Sequence, residues 1–403
     1  MPKFTQMESE FYKHFLIKLI KPKGRVNYMQ QNNHRTWAEI DLSAIEHNFK
    51  EIQKHVGNCP IMGIIKADAY GHGSFRVAQC LAKAGVSYFA VATVSEAIEL
   101  REQGVTLPIM ILGYVGDEDA YLIARYDIAV PVYDSETALV FSGAAQKEGK
   151  PIRIHFALDT GMTRIGFPAR HVDETVNEIL NLSKLEGLII EGMFTHFAVA
   201  DTVDGSDFTH KQMEEFHMIA QKLEQAGLNI PLKHCANSGG VLQYKEGYYD
   251  MVRAGIILYG YYPDTSLPRT LDLRPAMRIK ARVVQVRDVE EGRTVSYGRT
   301  YLVKHPIKEA VISIGYADGY LRSGSGNVHI SVKGKKASVL GRICMDMCMI
   351  EVPNGVDLKR GDEVTIFGDN LITADDVAIA SGTISYEVLC AASARVPRIY
   401  ING

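Results

Sequence analysis

The sequence predicts an α/β fold in which a (β/α)8 TIM-like barrel is followed by a mostly-β C-terminal domain. Eight short, continuous apolar runs lie between residues 61 and 260, and most of the intervals between them can hold a helix. Continuous apolar strands that alternate with helices are typical of a parallel sheet that is covered on its faces. After Arg274-Pro275 the pattern changes to strand-like segments separated by turn residues, which predicts a second, mostly antiparallel domain.

The first predicted element is a strand at residues 36–42, where apolar and polar side chains alternate. This strand is a candidate member of the C-terminal sheet as well as of the barrel domain. Ser43 and Glu46 then form an S-x-x-E capping box, which predicts a helix that Ser43 caps. The segment before the strand differs in charge, because residues 1–35 hold seven Lys or Arg and two Glu. We therefore expect a separate N-terminal extension at 1–35.

The eight apolar runs predict the barrel strands, and their number favours a closed barrel over an open sheet. The runs cover residues 61–67, 88–93, 109–112, 128–133, 153–159, 188–197, 232–238 and 251–260. The intervals predict helices, for example at 74–84, 95–103, 135–149, 173–185 and 209–226. No G-x-G-x-x-G motif follows the first run, which argues against a dinucleotide-binding fold.

The C-terminal segments predict the strands of the second domain. They cover residues 277–289, 310–314, 328–332, 336–340, 349–352 and 363–367. Late helices are predicted to start at Thr373 and after Ser381. The predicted domain boundaries are therefore 36–265 for the barrel and 266–403 for the β domain.

Composition excludes several classes of function. Lys and Arg total 44 and Asp and Glu total 47, which excludes the strongly basic surface of a nucleic-acid-binding protein. No apolar run approaches the ~20 residues that a membrane span needs. The six cysteines form no C-x-x-C pair and no Cys/His zinc spacing, so we expect no metal site and a cytoplasmic protein with reduced thiols.

Active sites of barrels lie at the C-terminal ends of the strands, so the residues that end each run are candidates for chemistry. Lys66 ends the first run. Burial there would lower the pKa of its amine and make it a Schiff-base nucleophile, whereas the alternative is a lysine that extends from the barrel mouth into water. Ser238 with the glycines after it, and Gly255 within the eighth run, match the usual phosphate site of barrels. A strand-end lysine with a phosphate site suggests pyridoxal phosphate.

Two further strand-end residues have both functional and structural interpretations. Arg164 follows the fifth run and could hold a substrate carboxylate, or it could form a surface salt bridge. His196 ends the sixth run, where it could take part in catalysis or be a hydrogen-bonded structural histidine. The residues alone leave both alternatives open.

Several long motifs resemble those of the alanine racemases of the pyridoxal-phosphate-dependent barrel type. They are I-K-A-D-A-Y-G-H-G at 65–73, D-T-G-M at 159–162, V-S-Y-G at 295–298, I-G-Y-A-D-G-Y at 314–320, L-G-R-I-C-M-D at 340–346 and V-P-R-I at 396–399. The resemblance runs from residue 36 to residue 401. It implies an isomerase that interconverts L- and D-alanine and supplies D-alanine for cell-wall peptidoglycan.

The resemblance implies a two-base mechanism with pyridoxal phosphate as cofactor. Lys66 anchors the cofactor and is one base, and Tyr297 of a second subunit is the other. A homodimer with shared active sites is therefore expected. Arg253 contacts the pyridine nitrogen, and His196 bonds Tyr297.

The remaining residues implied by the resemblance bind the cofactor or the substrate. Those on the phosphate side of the cofactor are Tyr70, Asn237, Ser238, Gly255 and Ile256. Those that contact the amino-acid substrate or its entry path are Arg164, Met345 and Tyr316. The backbone N–H of Met345, like the phenol of Tyr297, is contributed by the partner.

Two positions depart from the pattern of the family. Many alanine racemases have Lys where this chain has Ala157, and it orients the carboxylate-binding arginine. The family commonly has Tyr where this chain has Ala394, which opens volume near the substrate. A serine or broad-specificity racemase is therefore an alternative. A pyridoxal-phosphate decarboxylase is another, but it should carry an acidic residue in place of Arg253. A non-catalytic cofactor-carrying protein should lack the β domain.

Overall fold

The computed structural model describes residues 34–202 and 204–403. Almost all of the predicted N-terminal extension lies outside these residues. The described chain begins with β1 (Thr36–Asp41), and the strands of the following α/β part are β2 (Ile61–Ile64), β3 (Tyr88–Val91), β4 (Ile109–Ile111), β5 (Val130–Val132), β6 (Ile152–Asp159), β7 (Phe167–Pro168), β8 (Leu188–Phe194), β9 (Leu232–His234) and β10 (Val252–Ala254). The predicted order of eight apolar strands is confirmed, and the two-residue β7 was not predicted.

Helices lie between these strands, as the sequence predicted. They are α1 (Leu42–Val56), α2 (Ser74–Ala84), α3 (Val94–Glu102), α4 (Ala120–Tyr126), α5 (Ser135–Glu148), α6 (Val172–Leu182), α7 (Ser206–Gln225) and α8 (Ser238–Gln243). The capping box predicted at Ser43 is wrong. Asp41 is the N-cap of α1, and its carboxylate accepts hydrogen bonds from the backbone N–H groups of Ser43 and Ala44. The helix begins two residues earlier than predicted because an Asp that ends the strand is as good a cap as a Ser.

The strands of the α/β part pair in parallel and form two sheets. Their orders are β10-β2-β3-β4 and β5-β6-β8-β9, and β7 pairs with β6. Backbone hydrogen bonds also link the sheets at both edges. Ile111 N–H donates to Ala129 O over 2.9 Å, and Arg253 N–H donates to Ala236 O over 2.9 Å. The C-terminal ends of the strands therefore face one common region.

The C-terminal part is mostly antiparallel, as predicted. Its strands are β11 (Met277–Val289), β12 (Thr294–Val295), β13 (Tyr301–Leu302), β14 (Ile307–Ile312), β15 (His329–Val332), β16 (Lys335–Leu340), β17 (Cys348–Glu351), β18 (Glu363–Phe367) and β19 (Arg398–Ile401), with helices α9 (Ala374–Ser381) and α10 (Ser385–Cys390). One sheet has the order β14-β17-β16-β15-β18-β11-β1-β19. Strand β1 pairs antiparallel with β11 and parallel with β19, so the start and the end of the described chain lie side by side.

A single buried apolar cluster runs through both parts of the chain, from Ala38 in β1 to Val396 before β19. A smaller cluster of Val295, Val303, Ile307 and Leu340 lies under the loops of the C-terminal part. Among the described residues, no helix combines the length and the apolar composition that crossing a bilayer requires.

Candidate active site

Lys66 lies directly after β2, at the start of an unusual turn. The next four residues, Ala67 to Tyr70, all have φ between 52° and 54°. None of them is glycine, and each residue in this left-handed conformation costs about 1–2 kcal/mol. The turn therefore persists only because its surroundings hold it, which is a common property of functional sites.

Hydrogen bonds from three sides hold this turn. The carboxylate of Glu96 accepts from the backbone N–H of Ala67 over 2.6 Å, and it also accepts from Ala92 N–H. The carboxylate of Asp68 accepts from Ser74 N–H over 2.8 Å. From the C-terminal part, Arg398 Nε donates to Gly71 O over 2.9 Å.

The C-terminal part also packs closely beneath the turn. A Cβ at Gly73 would lie 1.8 Å from the hydroxyl oxygen of Tyr400, and one at Gly71 would lie 2.5 Å from Leu389 O. Both glycines have positive φ, so no other residue fits either place without strain. The position of Lys66 thus depends on both parts of the chain.

The Lys66 side chain points into a cavity at the C-terminal ends of the strands. The cavity has two halves, a larger one of about 320 Å³ and a smaller one of about 230 Å³. Lys66, His196 and Arg253 line both halves. Burial is the main cause that lowers the pKa of Lys66, and the charge of Arg164 adds to it. Glu96 and the Cys390 thiol act in the opposite direction but do not cancel the shift. Desolvation therefore favours the neutral form of this amine.

Arg253 is buried at the base of this cavity. Its Nη1 donates to His234 O over 2.7 Å, and its Nη2 donates to Thr195 O and Cys235 O over 2.9 Å each. Nη1 and Nη2 also lie 3.1 Å and 3.3 Å from the Nδ1 atoms of His234 and His196. None of these contacts among the described residues uses Nε–H. Burial lowers the pKa of Arg253 to about 10, so it stays protonated at neutral pH.

His196 is neutral in this environment. Burial and then the charge of Arg253 lower its pKa well below the ordinary value of 6.5. Because the N–H groups of arginine can only donate, the neighbouring guanidinium favours the tautomer of His196 that has no proton on Nδ1 and carries it on Nε2. The Nε2 atom is 3.5 Å from Asn237 Nδ2, which is long for a hydrogen bond. His196 therefore offers an N–H to a group that enters the cavity.

The other end of the cavity is built from the first turn of α8 and the loop after β10. Asn237 is the N-cap of α8, and Ser238 Oγ accepts from Gly255 N–H over 3.0 Å. A Cβ at Gly255 would lie 2.9 Å from the hydroxyl oxygen of Tyr70. The hydroxyls of Tyr70 and Ser238 thus both lie close to the backbone of Gly255, and only glycine leaves room for them there. Ile256 begins the short 3-10 helix that follows.

Arg164 lines the larger half of the cavity, on the loop after β6. Asp159 shapes this loop, since its carboxylate accepts from Gly161 N–H and Thr163 N–H. Ala157 is buried, with 1% of its surface exposed. Lys66, Arg164 and Arg253 make the cavity cationic, and Asp201 lines its far side with a pKa that burial raises. This charge suits a ligand that carries phosphate and carboxylate groups.

Three predicted site residues lie elsewhere, on the C-terminal part. Tyr297 is 69% exposed, Met345 52% and Tyr316 41%. Tyr316 and Met345 lie on adjacent segments, because the backbone N–H groups of Tyr316 and Ala317 donate to the carbonyls of Cys344 and Met345 over 3.0 Å each. Ser296, which precedes Tyr297, has its hydroxyl 3.8 Å from the sulfur of Cys344. Among the described residues that line the two halves of the cavity, none of these three is present. Within one chain, the structure therefore does not bring them to Lys66.

Several residues that shape the site were not predicted. Glu96 forms a capping box with Thr93, and the T-x-x-E spacing at 93–96 was a signal that could have identified it. Arg398 was seen only as part of a motif. The buried His155 and His234, which lie behind Arg253, carry no sequence signal, because their contacts join residues on different strands.

Comparisons with known proteins agree on one family, and their matches cover most of the chain. The family model of the alanine racemase N-terminal domain matches residues 40–263, and that of the C-terminal domain matches residues 276–400. Alanine racemase 2 of Caldanaerobacter subterraneus is 45% identical over 370 residues, which are 91% of this chain and 95% of that protein. An alanine racemase of Clostridium perfringens is 45% identical over 368 residues, which are 90% of this chain and 95% of that protein.

Solved structures give the same result. The alanine racemase of Clostridium difficile 630 superposes with a TM-score of 0.88 at 43% identity, covering 92% of this chain and 97% of that chain. A complex of that racemase with cycloserine superposes with a TM-score of 0.86 at 41% identity, covering 92% and 96%.

Proposed function

The chain belongs to the alanine racemase family, and from this premise we propose how its own residues interconvert L- and D-alanine. Its activity is that of an isomerase acting on alanine. The observation that carries the proposed mechanism is the desolvated amine of Lys66, which lies in a cationic cavity opposite Arg253 and beside the hydroxyls of Tyr70 and Ser238.

We propose that the cofactor is pyridoxal phosphate, and the donor set fits it. Lys66 would hold the aldehyde, and the free Nε–H of Arg253 would meet the pyridine nitrogen. The phosphate would be held by Tyr70, Ser238 and the backbone of Gly255. The same end of the cavity is completed by Asn237 and Ile256. When bound, this cofactor supplies an electron sink that makes the α-proton of an attached amino acid acidic.

Racemisation needs one base on each face of the α-carbon, and Lys66 can serve one face. Its lowered pKa increases the fraction of neutral amine, which can accept a proton at Nζ. Burial and Arg164 together favour that neutral form. The opposite face needs a second group with a proton to give.

We propose that Tyr297 of a second copy is that group, and that the protein is a homodimer with shared sites. Tyr297, Tyr316 and Met345 are exposed together on one surface, although large apolar side chains are usually buried. The cavity of the same chain lacks them. His196 offers its Nε2–H at the cavity, where it would lower the pKa of an incoming phenol by hydrogen bonding to the phenolate.

The substrate carboxylate is proposed to bind Arg164 and the backbone N–H of the partner's Met345. Arg164 is the charged group on the wall of the larger half of the cavity, opposite His196. Tyr316, which is 41% exposed, would then line the path by which the amino acid enters.

We propose that the two parallel sheets close into a (β/α)8 barrel at 36–265, followed by a β domain at 266–403. The hydrogen bonds at both sheet edges support closure. So does the bond between Tyr88 in β3 and Glu191 in β8, since these strands belong to different sheets. The gap between the two family matches, after residue 263 and before residue 276, supports the boundary.

We propose a cytoplasmic role in supplying D-alanine for peptidoglycan. The family activity supports the product, and the free state of all six cysteines fits a reducing compartment. The experiment that tests the whole mechanism uses purified protein with added pyridoxal phosphate. A visible absorption band and loss of optical rotation from L-alanine are expected. Protein that stays colourless and inactive would reject the proposed cofactor and residue roles.

A further inference from the structure

A chain of side-chain hydrogen bonds runs from the cavity back through the interior of the parallel strands. Arg253 Nη1 lies 3.1 Å from His234 Nδ1, and His234 Nε2 lies 2.9 Å from His155 Nδ1. His155 Nε2 then lies 2.9 Å from Glu191 Oε2. We call these four residues the buried histidine chain. The hydroxyl of Tyr88 donates to the same oxygen of Glu191 over 2.7 Å and is a side contact.

The direction of every bond in this chain is fixed by its two ends. Arg253 can only donate, so His234 Nδ1 must accept, and the proton of His234 lies on Nε2. That proton is donated to His155 Nδ1, so the proton of His155 also lies on Nε2. It is donated to a carboxylate, which can only accept. A cation and an anion thus set one tautomer for both imidazoles.

The local backbone is shaped to make room for this chain. Strands β6 and β8 pair Ile154 with Ile190 but His155 with Gly192, so Glu191 is an extra residue in β8. Such bulges are rare in parallel pairs and redirect a side chain. A Cβ at Gly192 would lie 2.3 Å from His155 Nδ1. Glycine is therefore required for His155 to lie across β8.

Packing and charge support the same picture. His155 and His234 are fully buried, and the ring of Phe194 stacks on His234 with centroids 5.2 Å apart. Burial acts to raise the pKa of Glu191, but the hydrogen bonds from His155 and Tyr88 outweigh burial and bring the pKa below its ordinary value. The carboxylate is therefore ionised at neutral pH. Burial and Arg253 lower the pKa of His234 well below 6.5, so it stays neutral.

We propose that Glu191 acts through His155 and His234 as a positioning residue for Arg253. With the tautomers fixed, His234 always presents a lone pair to Nη1. The guanidinium then keeps one orientation, and its Nε–H, which no hydrogen bond among the described residues uses, stays available to the cavity that Arg253 lines. If His234 carried its proton on Nδ1 instead, two N–H groups would face each other, and Arg253 would have to turn. This inference rests on the proposed placement of Arg253 beside the cofactor ring.

The unmodified protein gives the first test. In holoenzyme labelled with ¹⁵N-histidine, long-range proton–nitrogen spectra distinguish a protonated Nε2 from a protonated Nδ1. We expect His155 and His234 to be neutral with the proton on Nε2. A protonated Nδ1 on His234, or a charged imidazole at either position, would overturn the proposal.

The second test compares Glu191→Leu with Glu191→Gln. Gln keeps an oxygen that accepts from His155, whereas Leu removes the acceptor. We expect Leu to lower kcat by about tenfold or more, as loss of orienting outer contacts does at other sites, and to raise the share of transamination. The KM for alanine should stay within about twofold, since Arg164 is not in the chain. The Kd of apoprotein for pyridoxal phosphate should rise with Leu and recover with Gln.

Tyr88→Phe is the matched control, because it removes a bond to the same carboxylate without interrupting the chain. Its kcat and tautomers should match those of the unmodified protein. Equal losses in Glu191→Gln and Glu191→Leu, or a Leu variant that loses only thermal stability, would overturn the inference. Unmodified protein that binds no pyridoxal phosphate would instead reject the proposed function, so the two failures are distinguishable.

Discussion

Nη2 of Arg253 lies 3.3 Å from Nδ1 of His196, so the guanidinium faces a second imidazole at the cavity wall. This contact favours the tautomer of His196 that carries its proton on Nε2. A carboxylate at the pyridine nitrogen would protonate the ring and extend delocalisation into it. In the proposed arrangement, Arg253 would instead leave that nitrogen unprotonated and so disfavour transamination.

The first prediction is that Arg253→Glu raises transamination relative to racemisation. Both products are measured from L-alanine, with pyruvate reporting transamination. Glu in this position faces the carbonyls of Thr195 and Cys235, so Arg253→Gln is the control for misfolding. If the product ratio of the Glu variant is unchanged, arginine does not control the side reaction.

The second prediction concerns the two bases and the dimer. Lys66→Ala and Tyr297→Ala should each lower racemisation by about 10²- to 10⁴-fold, the usual contribution of a positioned acid or base. A mixture of the two inactive variants, after subunit exchange, should regain activity, because one mixed dimer contains one complete site. In D₂O, Tyr297→Ala should still exchange the α-proton of one enantiomer without inverting it. A mixture that stays inactive while mixed dimers form would contradict the shared site.

The third prediction concerns Glu96, which holds the turn after Lys66. Glu96→Ala leaves the N–H groups of Ala67, Ala92 and Thr93 without their acceptor, and because these contacts are exposed or half-buried, each lost hydrogen bond costs about 0.5–1.5 kcal/mol. We expect a lower free energy of unfolding and a lower kcat. Glu96→Gln keeps an acceptor and should recover most of the stability. Glu99→Ala, on the same helix, serves as the control for helix effects.

The fourth prediction is a loss of stability in mild acid. Burial lowers the pKa of His72 to about 4 and that of His196 and His234 well below 6.5. These histidines stay neutral when folded, but the unfolded chain binds protons below pH 6.5. The free energy of unfolding of the apoprotein should therefore fall as pH decreases from 6.5, with a slope that reports the protons taken up. Urea titrations at several pH values measure that slope, and His72→Gln should reduce it. A flat profile between pH 6.5 and about 4 would show that these groups are charged in the folded protein.

The fifth prediction concerns specificity. Ala394 is small and exposed, on the segment just before Arg395. Ala394→Tyr should lower kcat/KM for serine relative to alanine by about tenfold. The larger side chain would narrow the pocket, and a size difference of about one methylene group typically changes kcat/KM by that order. Relative kcat/KM values for alanine, serine and larger amino acids provide the measurement. An unchanged ratio would show that this position does not border the substrate.

The strands of the α/β part could be predicted because each is a short apolar run that ends at a polar or glycine residue. The capping residue of α1 could not, since Asp41 and Ser43 are both good caps and only the strand before them decides. Short elements such as β7 and β12 have too few residues to show a period. Lys66 and Ser238 could be found at strand ends, whereas the roles of Arg253 and Tyr297 came only from the resemblance.

The left-handed turn after Lys66 shows a different limit. The sequence Ala-Asp-Ala-Tyr has ordinary preferences, which favour right-handed backbone. Only contacts from Glu96 and from the C-terminal part reverse that preference. The buried histidine chain was equally invisible, because it joins residues on four strands that meet only after folding.

Arg398 has a consequence for how the protein is made. It donates to Gly71 O, 327 residues earlier in the chain, and to the carbonyls of Ser393, Val396 and Ala392. A ribosome releases the N-terminal part first, so that part emerges and begins to fold before Arg398 exists outside the exit tunnel. The turn that carries Lys66 therefore receives this restraint only after the C-terminal part has also been synthesised. A chain truncated before Arg398 is expected to fold much of its parallel sheet but to leave Lys66 without its correct position.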